Sequence, residues 1–142
     1  MRECIFCKII NKELPAYILF EDDQVTAFLD INPVSPGHIL IVPNKHYAML
    51  HHIIDDKSSH AILNTTKYLA GKLVEQKICE SYSIIQANGR QAEQEIDHVH
   101  FHIIPRHIND SVLLKLDTDK IAAKEINLQL IYKKIRTSLN ID

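Results

Sequence analysis

His98-Val99-His100-Phe101-His102-Ile103-Ile104 is the stretch on which the reading of this chain turns. Side chains alternate across a β-strand, so every second residue shares a face. A strand over residues 98–105 would therefore line up three imidazoles, about 6.6 Å apart by the strand rise. Val99, Phe101 and Ile103 would point to the opposite side, toward a core. A polar sheet face of satisfied histidines is the bland alternative, but a surface strand has little reason to choose imidazole three times. Imidazole changes charge near neutral pH and serves as nucleophile, proton carrier or metal ligand. Two chemistries follow. Either His98, His100 and His102 ligate a metal, as in a zinc enzyme, or one imidazole attacks an electrophile while its neighbours balance developing charge.

Outward from this stretch, the run Ile39-Leu40-Ile41-Val42 reads as a strand buried on both faces, over residues 38–42. Residues 17–20 and 24–30 read as two strands joined by Glu21-Asp22-Asp23, and residues 82–86 as another. Asn32-Pro33-Val34-Ser35-Pro36-Gly37 is a loop, because two prolines and a glycine disfavour regular pairing. A short helix is expected over residues 3–11. A long one is expected over residues 55–77, with Ile62, Thr66, Leu69, Ala70 and Leu73 on one face and Asp55, Ser58 and Ser59 as capping candidates. Gly71 inside that helix suggests a close packing contact. Ile121, Leu128, Ile131, Ile135 and Leu139 mark a closing amphipathic helix, over about residues 119–139. The order predicts an α+β fold: a five-stranded, mainly antiparallel sheet, a long central helix and a C-terminal helix.

Composition narrows the function. The 142 residues suit one domain and are 46% hydrophobic and 24% charged, as in ordinary globular proteins. Sixteen Lys+Arg against eighteen Asp+Glu give −2, so nothing favours nucleic acid as a bulk partner. No apolar run approaches the roughly 18 residues that span a bilayer, and no secretory leader is visible. Three cysteines, two of them in Cys4-x-x-Cys7, suit a reducing cytoplasm, where they serve metal or redox work as thiolates. The outlier is histidine, with nine residues.

Gly89, Arg90, Gln91 and Gln94 precede the histidine segment, and Pro36-Gly37-His38 brings a fourth histidine to the start of another strand. Small donors and backbone N–H groups of this kind suit phosphate. Neither G-x-x-x-x-G-K-[ST] nor G-x-G-x-x-G is present, so the usual phosphate loops are absent.

The histidine segment resembles the motif of the histidine triad (HIT) family. Cys4-Ile5-Phe6-Cys7-Lys8-Ile9-Ile10, Phe20-Glu21-Asp22-Asp23, Phe28-Leu29-Asp30-Ile31-Asn32-Pro33, Pro36-Gly37-His38 and Ile103-Ile104-Pro105-Arg106 look like its Hint-like branch, in the bacterial type with an N-terminal Cys-x-x-Cys. The resemblance runs in order over about residues 3–107. It implies one HIT domain over residues 1–142, with a motif-bearing core of about 3–107 and a helical tail of about 108–142. It further implies a nucleotide hydrolase or transferase acting at a nucleoside α-phosphate, most simply a purine nucleoside phosphoramidase. Dinucleoside polyphosphate hydrolysis and a nucleotide-binding regulatory protein with weak catalysis are the alternatives. By position, His100 would be the nucleophile that forms a nucleotidyl-histidine. His98 and His102 would orient the site and contact the phosphate or leaving group, and His38 would support them. Gln94 would contact the phosphoryl region, and Asp30 would accept from the ribose hydroxyls. Ile5, Phe6, Ile9, Phe28, Leu29 and Ile31 would wall the base pocket of an AMP-like purine nucleotide. A homodimer through the long helix is implied as well, and no catalytic cofactor is required.

The chain departs from the family pattern near the phosphate. Glu93 stands where the family has glycine, Ala87 where Asn or Gln is general, with Asn88 one position later as a possible stand-in, and Asp97 where an apolar residue is common. Cys4 and Cys7 supply only two of the four ligands of a structural zinc site. The resemblance points to His46 and His98 as the other two.

Overall fold

The computed structural model describes residues 3–116 and 127–139. It divides into two compact units between Val112 and Leu113. The first carries α1 (Ile5–Ile10), β1 (Ile18–Glu21), β2 (Val25–Leu29), β3 (Ile39–Pro43), α2 (Asp56–Glu75), β4 (Ser81–Ile85) and β5 (Phe101–Arg106). Single 3-10 turns lie at Leu50–His52 and Arg90–Ala92. The second holds α3 (Leu128–Ser138), whose first turn is capped by Asn127 accepting from the Leu130 N–H. Ile121 and the start of the expected closing helix lie outside the described residues.

The strands form one sheet in the order β1-β2-β3-β5-β4, with every neighbouring pair antiparallel. This is the α+β sheet expected from the sequence. The β1–β2 connection is set by Asp22, whose carboxylate accepts from the N–H groups of Gln24 (2.7 Å) and Val25 (2.8 Å). Such an Asx turn reverses the chain without help from distant residues. β3 is buried along its whole length because both faces of the sheet are covered there. Ile39 and Ile41 pack with Val25, Ala27 and Ile103 against Ile62, Leu69 and Leu73 of α2. Leu40 sits on the other face with Phe6, Ile9 and Phe28, closed by α1. Burial on two faces is what turns an alternating strand pattern into a continuous apolar run. Asp55 starts α2 by accepting from the Ser58 N–H at 2.8 Å.

Two expectations need correction. Gly71 lies on the exposed side of α2, and a Cβ there would meet nothing within 4 Å, so close packing does not explain it. The histidine strand is also shorter than the alternation suggests: β5 begins at Phe101, so His98 and His100 precede the ladder. The cause is Pro43. The β3–β5 register pairs Ile41 with Phe101, and continuing it would set Val99 against Pro43. Proline has no N–H to donate, so the ladder ends. The Val99 N–H turns instead to the Tyr47 carbonyl at 2.7 Å.

Gly37 positions His38 for the site. Its φ is +90°, and an added Cβ would come within 3.0 Å of Ile78 Cγ2 and 3.3 Å of Leu73 Cδ2. Gly37→Ala should therefore cost about 2 kcal/mol, from a disfavoured backbone together with overpacking. Urea unfolding reads this directly, and an unchanged midpoint would contradict it.

Candidate active site

A cavity of about 800 Å³ opens on the sheet face that α1 partly covers. All six expected apolar wall residues line it: Ile5, Phe6, Ile9, Phe28, Leu29 and Ile31. Phe6, Ile9 and Phe28 are buried and belong to the core beneath, whereas Ile5 and Ile31 are largely exposed. Phe6 meets Phe28 edge-on at 5.6 Å and His100 at 5.1 Å between ring centroids. Asp30, His38, His100 and His102 complete the expected set in this cavity.

The hydrogen bonds assign the protons on these imidazoles. The Val34 N–H donates to His38 Nδ1 at 3.3 Å, so His38 carries its proton on Nε2. That N–H donates to His102 Nδ1 at 2.8 Å, which leaves His102 protonated on Nε2. His100 Nδ1 donates to the His98 carbonyl at 2.7 Å, which leaves the lone pair on His100 Nε2. The His100 and His102 rings are 5.0 Å apart. Burial, and then the neighbouring His100 and His38, push His102 down to about 4, against a smaller opposing pull from Asp30. Burial also lowers His38, opposed by Asp30. Both rings are thus neutral at pH 7, as the donor–acceptor chain requires.

This neutrality has a stability consequence. Between about pH 6.5 and 4 the unfolded chain protonates His102 while the folded chain does not. Folding stability should therefore rise with pH across that window and fall on acidification. The contribution of His102 is up to about 2 kcal/mol, since water partly reaches the ring. Urea midpoints at pH 7 and 4.5 should differ less in His102→Asn than in the wild type. An identical pH dependence in the two proteins would refute the assignment.

Asp30, just after β2, closes its own turn: Oδ1 accepts from the Asn32 N–H at 2.9 Å. Its Oδ2 lies 3.7 Å from His38 Nε2.

Three expected residues are placed elsewhere. Gln94 is 2% exposed and is absent from the cavity lining. Its Oε1 accepts from the Gly89 N–H at 2.7 Å, and its Nε2 donates to the carbonyls of Ala48 (2.7 Å) and Ile96 (3.0 Å). Both amide donors are used, so the side chain ties the loop together and has no N–H left for a phosphoryl group. Asn88 also lies outside the lining, and its Oδ1 accepts from the Leu50 N–H at 2.7 Å. His98 is fully buried and faces away from the cavity, with Nε2 donating to the Pro43 carbonyl at 2.8 Å.

Glu93, the departure noted near the phosphate, lines the cavity, and beside it stands an acidic residue that the sequence did not single out, Glu95. Glu93 has φ +66° and ψ 28°, a left-handed conformation that suits glycine. The family glycine at this place was the available signal; Glu95 carried none. Asp97 is accounted for by Arg90, whose guanidinium reaches it at 3.2 Å.

His98 stands in the other group expected of it, with Cys4, Cys7 and His46. Cys4, Cys7, His46 and His98 place one ligand atom each within 4.8 Å of the others. His98 Nδ1 is 3.4 Å from Cys4 Sγ and 3.5 Å from Cys7 Sγ, and His46 Nδ1 is 3.3 Å from Cys7 Sγ. A tetrahedral ion with metal–sulfur bonds near 2.3 Å and metal–nitrogen bonds near 2.1 Å would have N–S edges of about 3.5 Å. The four residues therefore fit a metal ion of zinc size. His98 Nε2–H on the Pro43 carbonyl also leaves its Nδ1 lone pair turned to the sulfurs, the outer-shell bond typical of ligating histidines. Because His98 turns this way, His98, His100 and His102 do not converge on one point, and the described residues hold no such ligand set.

Known proteins share this arrangement of sequence and fold. Residues 11–109 match the model of the HIT domain. An uncharacterized HIT-like protein of Methanocaldococcus jannaschii is 42% identical over 133 residues, covering 94% of this chain and 98% of that one. Adenosine 5'-monophosphoramidase HNT1 of Saccharomyces cerevisiae is 43% identical over 111 residues, covering 78% of this chain and 67% of that one. The histidine triad nucleotide-binding protein of Candida albicans superposes with a TM-score of 0.81 at 34% identity, over 96% of this chain and 97% of that one. A Zn-bound histidine triad family protein of Mycobacterium smegmatis superposes with a TM-score of 0.72 at 27% identity, over 83% and 85%. With the family match spanning well over half its length, the chain belongs to the HIT domain family.

Proposed function

We propose that this chain is a nucleotide hydrolase that cleaves purine nucleoside phosphoramidates at the α-phosphate through a covalent intermediate on His100. The observation that carries the reading is the pair of tautomers. His100 holds a lone pair on Nε2, while His102 beside it holds an N–H on Nε2. One ring is prepared to attack and the other to donate a hydrogen bond to a phosphoryl oxygen.

The purine lies among Phe6, Phe28 and Ile9, whose aromatic and aliphatic surfaces suit a flat heterocycle. Ile5, Leu29 and Ile31 complete the walls. Asp30, already holding its turn through Oδ1, turns Oδ2 to the ribose hydroxyls. His100 Nε2 then attacks phosphorus and the P–N bond to the leaving amine breaks, the departing nitrogen taking a proton from solvent water, while His102 Nε2–H donates a hydrogen bond to a phosphoryl oxygen. Water then attacks phosphorus, gives its proton back to solvent and displaces His100 Nε2, releasing the nucleoside monophosphate. Throughout, the His98 carbonyl holds His100 Nδ1–H and spreads the positive charge that develops on the ring. His38 keeps His102 in the required tautomer. A neutral imidazole needs no prior deprotonation, so the scheme asks nothing of a Lewis acid.

The second centre is read as structural zinc on Cys4, Cys7, His46 and His98. Zinc ties α1 to the loop before β5 when bound. The Mycobacterium smegmatis relative and the ligand geometry support this. The cysteines serve as ligands only as thiolates, which suits a reducing cytoplasm. Among the described residues no helix is long and apolar enough to cross a membrane. We further read the chain as a homodimer through α2, with light scattering as the test.

Rapid quench of the enzyme with adenosine phosphoramidate, followed by mass spectrometry, tests the chemistry. A nucleotidyl adduct on the peptide carrying His100 is expected. Turnover with no adduct at any quench time would overturn the covalent step.

A further inference from the structure

The cavity carries an unusual charge for a site that receives a phosphate. Its lining includes three carboxylates, Asp30, Glu93 and Glu95, and neither lysine nor arginine among the described residues. Burial lowers both His38 and His102, so neither of these two brings a cation to the phosphate. Arg90 is the one cation of the segment that leads from Gly89 to His98. It is absent from the lining, and its guanidinium is engaged elsewhere. It donates to the carbonyls of Gln94 (3.0 Å) and Glu95 (2.9 Å) and pairs with Asp97. These bonds, with the Glu93 N–H on the Arg90 carbonyl at 3.0 Å, fix the backbone from which both glutamates project. Glu93 keeps a charged side chain at φ +66°, a backbone conformation that favours glycine.

With Asp30 given to the ribose, the two glutamates remain for the other end of the substrate. We propose that Glu93 and Glu95 select the leaving group by charge. They would favour nucleoside phosphoramidates whose amine bears an ammonium group and disfavour polyphosphate leaving groups. This rests on the phosphoramidase reading above and deepens it. Glu93 and Glu95 are both exposed at the cavity mouth, so a polyphosphate brings several more negative charges past two carboxylates with no lining cation to meet them. An ammonium meets two carboxylates, and charge complementarity of this kind decides between partners more than it adds raw affinity.

The test compares kcat/KM on three substrates for the wild type, Glu93→Gln, Glu95→Gln and the double variant. The substrates are an adenosine phosphoramidate of a diaminoalkane, its uncharged alkylamine isostere and diadenosine tetraphosphate. Glutamine keeps the shape and removes the charge. The wild type should prefer the ammonium-bearing amide to its isostere by about tenfold at low salt, and the preference should shrink as salt screens the charges. The double variant should lose most of that ratio and gain on the tetraphosphate. Circular dichroism checks that each variant is folded. Turnover with the same ratio in wild type and double variant overturns the charge selection alone. Absence of turnover on all three substrates, with no adduct on His100, overturns the functional reading together with it.

Discussion

His100→Ala should lower turnover of an adenosine phosphoramidate by at least about a thousandfold while leaving the nucleotide pocket able to bind. The size follows from what the ring does. Removing a nucleophile closes the covalent route altogether, whereas removing one hydrogen-bond donor to the phosphoryl charge slows it by about 100- to 1,000-fold. His102→Asn should therefore fall between His100→Ala and the wild type. Two controls keep the result interpretable. His100 is buried and packs edge-on against Phe6, so the alanine variant must be shown folded. Its affinity for AMP should change little beside the loss in rate, because Asp30 and the apolar walls stay in place. Undiminished turnover in folded His100→Ala would falsify the assignment.

Loss of the metal is the second large effect. One zinc per chain is expected by metal analysis after reducing, chelator-free purification, and none in Cys4→Ser. Cys79→Ser should keep its zinc, because Cys79 packs in the hydrophobic core under α2. Stripping the ion leaves two sulfurs and two imidazoles gathered in a largely buried space without the charge that binds them together. A loss of about 3–5 kcal/mol is expected, which for a chain of this length lowers Tm by about 10–17 °C. The effect should also reach the chemistry. The His98 side chain is one of the four residues that could hold the ion, and its carbonyl accepts from His100 Nδ1–H, so a loosened His98 frees the N–H that fixes the His100 tautomer. The metal-free protein should accordingly lose rate more than nucleotide affinity. Absence of zinc from the wild-type protein, or an unchanged Tm in Cys4→Ser, would sink this reading.

Much of the fold was legible along the chain because its signals are local. The run from Ile39 to Val42 needs burial on both faces wherever it goes. The Asp22 turn and the Asp55 cap are completed within three residues. The apolar stripe of α2 has the helical period. The segments that bring apolar side chains and Asp30 to the cavity are local as well, lying in α1 and at the end of β2.

The residues that lie outside the cavity share a different cause. Gln94 has the chemistry to meet a phosphate, yet its amide is consumed by Gly89, Ala48 and Ile96. Alternation gave His98, His100 and His102 a common face, but Pro43 ends the ladder before the first two. Glu93 announced itself as a departure in sequence; only its left-handed backbone says why glycine suits the place.

By itself, then, the sequence determined which elements form, which faces they bury and that imidazole is concentrated in one segment, because each of these depends on neighbours a few residues away. Tertiary structure decided which group each imidazole faces. His98 turns to Cys4, 94 positions distant, His102 takes its proton partner from His38, 64 positions distant, and Pro43 anchors His98 from 55 positions away. A ring nitrogen becomes nucleophile, donor or ligand according to the one group facing its other nitrogen, and that group is chosen by the packing of the sheet.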